Sequence, residues 1–130
     1  MIVLDASAAL DWLLRTAAGQ RIERRIFARH ESLHAPHLLD LEVVQVLSRL
    51  VRDKALTPQR ADEAIHDLLD LRIVRYPHTL LVPRIWQHRQ NLTAYDAAYV
   101  ALAETLKAPL ITMDARLAHS PGHAAKVEVF

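Results

Sequence analysis

The sequence predicts an α/β/α sandwich: three layers around a small, mainly parallel central sheet. Three observations point there. The segments that read as strands are short and apolar without alternation, as expected when helices cover both faces of a sheet. Segments of helical period separate nearly all of them, which makes parallel crossovers the simplest connection. At 130 residues and 52% hydrophobic content, the chain is long enough for one domain over residues 1–130 with a substantial core.

The elements follow in order. Residues 1–5 form an apolar strand ending in Asp5, and residues 6–15 a helix carrying Leu10, Leu13 and Leu14. A second helix covers 20–30, and a short strand at 32–35 is ended by Pro36. From 37 to 54 a long helix presents Leu39, Val43, Val46, Leu47 and Leu50 at the spacing of a buried stripe. Thr57 followed by Pro58 is a cap and first-turn pair, opening a helix through Leu71. Residues 73–76 are strand-like and closed by Pro77, and a helix spans about 81–90. Thr93 opens another helix through Lys107, strand 110–112 follows Pro109, a short helix follows Asp114, and residues 127–130 form a last strand.

Composition excludes several classes of function. No apolar run reaches membrane-spanning length, because Asp5 and Asp11 interrupt the first candidate. The absence of Cys rules out disulfides and thiolate metal sites, and with no signal-peptide pattern it makes a cytoplasmic protein the expectation. Two Gly residues are too few for a phosphate-cradling loop. A net charge of +1, from 16 basic and 15 acidic residues, gives no global signal for nucleic acid. Locally, Arg21, Arg24, Arg25 and Arg29 recur at helical spacing as one basic face, either a solvated surface or a contact for RNA phosphates.

Four acids stand apart from this background: Asp5, Glu42, Asp96 and Asp114. Each lies at a helix start or in an early turn, within an otherwise apolar segment. Asp5 and Asp114 follow strands and can cap the helices beyond them. Thr93 and Asp96 have capping-box spacing, which by itself accounts for Asp96. Glu42 resists this reading, because it falls within the apolar helix and a buried carboxylate needs a partner. Arg49, two turns away, is one candidate. Asp40 points elsewhere, roughly 200° around the helix at about 100° per residue. Carboxylates gathered at the carboxyl edge of a sheet repel one another unless a cation joins them, and a divalent metal is the natural one.

Histidine offers a rival, metal-free chemistry, since eight are present. His34 and His37 flank Ala35-Pro36, and His119 and His123 bracket the turn-forming Ser120-Pro121-Gly122. Neither pair has zinc-hydrolase spacing, so surface or loop roles are expected. A phosphatase mechanism with a second Asp two residues after the first would need Asp where Ser7 stands. Trp12 and Trp86, in apolar helical settings, read as core or interface anchors.

The run Leu92-Thr93-Ala94-Tyr95-Asp96-Ala97-Ala98-Tyr99-Val100-Ala101-Leu102-Ala103, with the opening Ile2-Val3-Leu4-Asp5-Ala6-Ser7 and the later Leu110-Ile111-Thr112-Met113-Asp114, resembles a PIN domain. Within that group the chain most resembles the VapC toxins of type II toxin–antitoxin systems, over essentially its whole length. The resemblance implies a Mg2+- or Mn2+-dependent endoribonuclease whose metal-binding acids fall on Asp5, Glu42, Asp96 and Asp114. Asp5 and Asp96 would be direct ligands, with Glu42 and Asp114 serving a second metal or its waters. Ser7 and Thr112 match the supporting hydroxyls. It implies further an RNA substrate, a small cognate antitoxin that sets a basic side chain near the acids, and a homodimer. Gln45, where many relatives carry a small polar residue, and Ala115-Arg116-Leu117, which lacks a further acid, depart from the pattern. A PIN nuclease of RNA processing outside a toxin system, and a non-catalytic PIN-like interaction module, are the alternative readings.

Overall fold

The computed structural model describes residues 1–130. Five strands build one parallel sheet: β1 (Ile2–Leu4), β2 (Leu33–Pro36), β3 (Ile73–Tyr76), β4 (Leu110–Thr112) and β5 (Val127–Val129), in the order β3-β2-β1-β4-β5. Seven α-helices connect them: α1 (Ala6–Leu13) and α2 (Ala17–Ala28), α3 (Leu38–Arg52) and α4 (Pro58–Asp70), α5 (Val82–Gln87) and α6 (Ala94–Leu106), and α7 (Ala115–His119). Helices α1 to α4 form one packed group, while α6 lies across β1, β2 and β4 with α5 beside it. The three-layer α/β/α sandwich anticipated from the sequence is the architecture observed.

The central strands are apolar because both of their faces are covered: Ile2, Val3, Leu4, Leu110 and Ile111 are all fully buried. Helix α6 supplies the most continuous buried run, from Ala97 to Ala103. Its alanines let it approach the sheet closely, and Tyr99 is the one large polar-tipped side chain of that buried run. In α3 the expected stripe divides: Leu39, Val43 and Leu47 are buried, whereas Val46 and Leu50 are only partly covered.

Several element ends differ from expectation, each for a local reason. Helix α2 begins at Ala17 because Thr16 Oγ1 accepts from the Gly19 N–H and caps it. Helix α1 stops at Leu13, where Arg15 turns the chain with a positive φ of 57°. Pro36 stays in β2, at its last position, where the missing N–H is tolerated. The helix expected over 81–90 is a 3-10 turn at Thr79–Leu81 followed by the short α5, which ends where the His88 ring is drawn inward to Glu104.

Gly19 fixes how α1 and α2 meet. A Cβ at this position would overlap the Asp11 carbonyl group and come within 2.9 Å of the Trp12 Cα. Only a residue without a side chain permits this approach. The connection from β1 leads to β2 on one side, while β4 lies on the other, so the topological switch of the sheet falls between β1 and β4. A crevice outside the carboxyl ends of those strands is the place where such folds receive ligands.

Candidate active site

A cleft of about 520 Å³ opens there, and Asp5, Glu42, Asp96 and Asp114 all line it. Four separate stretches of chain supply them: the end of β1, the second turn of α3, the first turn of α6 and the residue before α7. Ser7, Tyr99, Gln45 and Arg49 also line the cleft, and Leu10, Leu14, Val46 and Leu50 form its apolar part.

Asp5 is the most buried of the four, at 6% exposure, and both of its oxygens are satisfied. Oδ1 accepts from the Ala8 N–H at 2.9 Å and from Ser7 Oγ at 2.7 Å, while Oδ2 accepts from Thr112 Oγ1. Each hydroxyl has one proton, and both are spent on Asp5. As acceptors, Ser7 Oγ takes the Met113 N–H at 3.0 Å and Thr112 Oγ1 the Asp114 N–H at 2.9 Å. The two hydroxyls thereby tie the end of β4 to the end of β1 and orient one carboxylate on the crevice floor. Asp5 also caps α1, so capping and membership of the cluster coincide in one residue. Burial raises its pKa, opposed by the bonds from Thr112, Ala8 and Ser7, and the charge of Asp96 raises it further.

Glu42 finds its partner in α6. Tyr99 Oη donates to Glu42 Oε1 at 2.7 Å, and Arg49, the candidate partner along the same helix, forms no ion pair with it. Burial raises Glu42, the Tyr99 bond pulls it down, and the charges of Asp96 and Asp5 push it up again. Burial followed by hydrogen bonding to Glu42 drives the Tyr99 hydroxyl far above its ordinary range, so it remains a donor at any working pH. Asp96 sits behind the Thr93 cap, whose Oγ1 accepts the Asp96 N–H at 3.1 Å. Its pKa is raised by burial and by the charge of Asp114, against the pull of Thr93 and Arg116.

Asp114 is the exception, held below its ordinary range by hydrogen bonds from Arg116. Its Oδ1 accepts the Arg116 backbone N–H at 2.9 Å, capping α7, and the guanidinium grips both oxygens. Asp5, Glu42 and Asp96 thus each feel the charge of another acid, and none of them forms an ion pair with a basic side chain. No group of three acidic or histidine side chains is placed to hold one ion jointly. An ion in this cleft would meet one or two carboxylates directly and the others through water, as Mg2+ commonly does. The donor set is entirely hard oxygen, which suits Mg2+ or Mn2+ and not a thiophilic metal.

The remaining candidates fall elsewhere. Arg21 and Arg24 on α2 and Arg29 just past its end are exposed, but none of the four arginines lines the acidic cleft. Arg25 leaves the basic face altogether: its guanidinium bonds Glu31 at 2.8 Å and Glu128 at 2.9 and 3.1 Å, joining α2 to β5. His34 corrects the expectation of a loop or surface role, since it is buried in β2 between Ser32 Oγ and Tyr76 Oη, and burial lowers its pKa. Asp40 pairs with Arg75 at 2.7 Å, away from the cleft as anticipated. Trp12 meets Phe27 edge to face, while Trp86 remains 64% exposed under the Arg89 guanidinium, so it is no core residue. Tyr99 and Arg116 were not singled out from the sequence. Tyr99 follows Asp96 by three residues, which places both on one helix face, and that spacing was the available signal.

Comparison with known proteins agrees with this geometry. The PIN domain family model matches residues 2–122. Ribonuclease VapC12 of Mycobacterium tuberculosis is 42% identical over 129 residues, covering 99% of this chain and 98% of its own. The crystal structure of PAE2754 from Pyrobaculum aerophilum superposes with a TM-score of 0.70 at 26% identity, over 97% of this chain and 82% of that one. The structure of VapBC2 from Rickettsia felis, bound to a DNA fragment from their promoter, shares the fold with a TM-score of 0.72 at 12% identity, over 100% and 99% of the two chains. A near-complete match to the family model and a full-length relative at this identity place the chain in the PIN-domain family, among the VapC ribonucleases.

Proposed function

We propose that this protein is an endoribonuclease dependent on Mg2+ or Mn2+ and the toxin of a type II toxin–antitoxin system, with Asp5, Glu42, Asp96 and Asp114 as the metal site. One observation carries the reading: four carboxylates from distant parts of the chain line a single cleft, where burial raises Asp5, Glu42 and Asp96 and the charge of a neighbouring acid adds to each. Helix capping accounts for Asp5 and Asp114 but gives Glu42 and Asp96 no reason to converge with them. The full-length VapC relative supports the ribonuclease activity, and the VapBC2 assembly supports an antitoxin partner.

A divalent ion bound here supplies positive charge to the attacking water and to the scissile phosphate. The chain does the rest. Asp5, held at both oxygens, gives that charge a fixed position and costs little reorganisation. Glu42 has Oε1 occupied by Tyr99 and Oε2 without a protein donor, and its raised pKa suits Oε2 to take the proton of the attacking water. Ser7 and Thr112 act on the reaction by orienting Asp5. Arg49, exposed and part of the cleft's lining, is available to an RNA phosphate. Arg21, Arg24 and Arg29 form a second basic surface on α2 that supports a more distant contact.

No helix is long and apolar enough to cross a membrane, and we place the protein in the cytoplasm with its RNA. Leu41, Leu80 and Trp86 stay exposed, which supports a further apolar contact such as the homodimer. The test is cleavage of total RNA by the purified protein with Mg2+ or Mn2+, with chelator and Asp96→Asn as controls. Cleavage surviving both controls refutes the metal site. Expression without the neighbouring small reading frame should arrest growth, and co-expression should relieve it.

A further inference from the structure

Asp114 is the one acid of the cluster that already holds a cation. Arg116 Nε lies 3.0 Å from Oδ1 and 3.1 Å from Oδ2, and Nη2 reaches Oδ2 at 2.5 Å. With the Arg116 backbone N–H at 2.9 Å from Oδ1, three N–H groups engage the carboxylate and both of its oxygens are occupied. A divalent ion that takes an oxygen of Asp114 directly therefore competes with the guanidinium for it. Arg116 is poised to leave, because its side chain is 82% exposed and makes no other hydrogen bond or ion pair. Its partner Asp114 lines the cleft, and its charge also acts on Asp96, another acid of the lining.

We propose that Arg116 is an exchangeable counter-ion built into the site: it occupies Asp114 while no divalent ion is bound, yields it when the ion enters, and then takes a phosphate of the RNA. The inference rests on the metal-dependent nuclease reading above and adds to it a substrate-binding residue whose availability depends on the metal. The guanidinium is suited to the second task, since its planar fork matches phosphate oxygens as well as it matches a carboxylate. The exchange makes the two ligands cooperative. RNA that draws Arg116 away frees Asp114 for the ion, so each ligand raises the affinity for the other by the same factor.

The experiment compares the wild-type chain with Arg116→Gln and Arg116→Lys, all at full length. Mn2+ affinity is read by electron paramagnetic resonance of the free ion. Affinity for an RNA oligomer, made uncleavable by 2′-deoxy substitution, is read by fluorescence anisotropy with and without Mn2+. Without RNA, Arg116→Gln should bind Mn2+ roughly 2- to 5-fold more tightly, the scale of losing an exposed ion pair that competes for the ligand. With Mn2+ present it should bind the RNA about 10-fold more weakly, as for a lost charge-assisted contact. The gain in RNA affinity that Mn2+ confers on the wild type should shrink to the part that the ion's own contact with the phosphate supplies. Arg116→Lys keeps the charge and loses the fork, so its Mn2+ affinity should lie between the two. Equal or weaker Mn2+ binding by Arg116→Gln, with metal–RNA coupling intact, overturns the inference and leaves the nuclease reading standing. Failure of all three proteins to bind Mn2+ overturns both.

Discussion

Tyr99 donates its hydroxyl to Glu42 Oε1 at 2.7 Å, and through that bond α6 holds a carboxylate that belongs to α3. The bond orients Glu42 and lowers its proton affinity against burial and two neighbouring charges. Tyr99→Phe removes one hydrogen bond and leaves the ring in place. The expected cost is about 1 kcal/mol of stability and roughly a 10-fold loss of cleavage rate. Because the lost bond was lowering Glu42, its pKa moves further up, and the acidic limb of the pH–rate profile should shift to higher pH. A profile that falls in height and does not move would separate orientation from proton transfer and deny Glu42 the role of base.

Gly19 predicts a second effect, at a distance from the chemistry. An added Cβ meets backbone atoms of Asp11 and Trp12, which cannot swing aside, so Gly19→Ala must push α2 away from α1. The expected loss is about 2 to 3 kcal/mol, or on the order of 10 °C in Tm. Helix α1 carries Ser7, Leu10 and Asp11 into the cleft, with Leu14 at its end, so cleavage should fall as well. A melting curve unchanged from wild type would show that the helices separate at no cost.

Much of the fold and of the acid cluster was legible in the sequence, because the signals are local. Asp5 and Asp114 follow short apolar strands, and Glu42 is an acid on an apolar helix. Their convergence depends on the strand order β3-β2-β1-β4-β5, which sets the ends of β1 and β4 side by side. What stayed hidden depends on distance in the chain or on direction. Arg25 was read as part of a basic stripe, yet one of its partners is Glu128, 103 residues away. His34 was read from the proline near it, yet it lies in β2 and its partner Tyr76 arrives with β3. The grip of Arg116 on Asp114 spans two residues, but only the turn into α7 decides which way the guanidinium points.

Glu104 anchors the segment that leads into β5. Burial works to raise its pKa, but bonds from Arg84, from His88 and from the Ala124 N–H outweigh it and bring the group to about 2. A carboxylate lowered in the folded state contributes stability that is present above its ordinary value of 4.5 and is lost as pH falls through that value to about 2. Glu104→Gln keeps an acceptor for His88 and removes the charge. It should cost on the order of 2 kcal/mol at neutral pH, or about 5 to 8 °C in Tm. The same substitution should flatten the acid limb of the stability curve between about pH 4.5 and 2, and equal acid sensitivity in variant and wild type would sink the assignment.

Asp96 raises Asp5 and Glu42 by its charge and is itself raised by burial and by Asp114, so in the absence of metal it works against the fold. The sign is opposite to that of Glu104. A carboxylate raised in the folded state carries no penalty below its ordinary value; stability is lost as pH rises from that value through the raised one, and the full penalty stands at neutral pH. Asp96→Asn keeps the side-chain shape and removes the charge that Asp5 and Glu42 feel. In chelator at neutral pH the variant should melt roughly 1 to 4 °C above the wild type. Added Mg2+ or Mn2+ should raise the wild-type Tm and leave the variant almost unmoved. Cleavage should fall at least about 100-fold. A variant no more stable than wild type in chelator would mean that the four carboxylates do not repel one another, and the case for a cation among them would lose its physical basis.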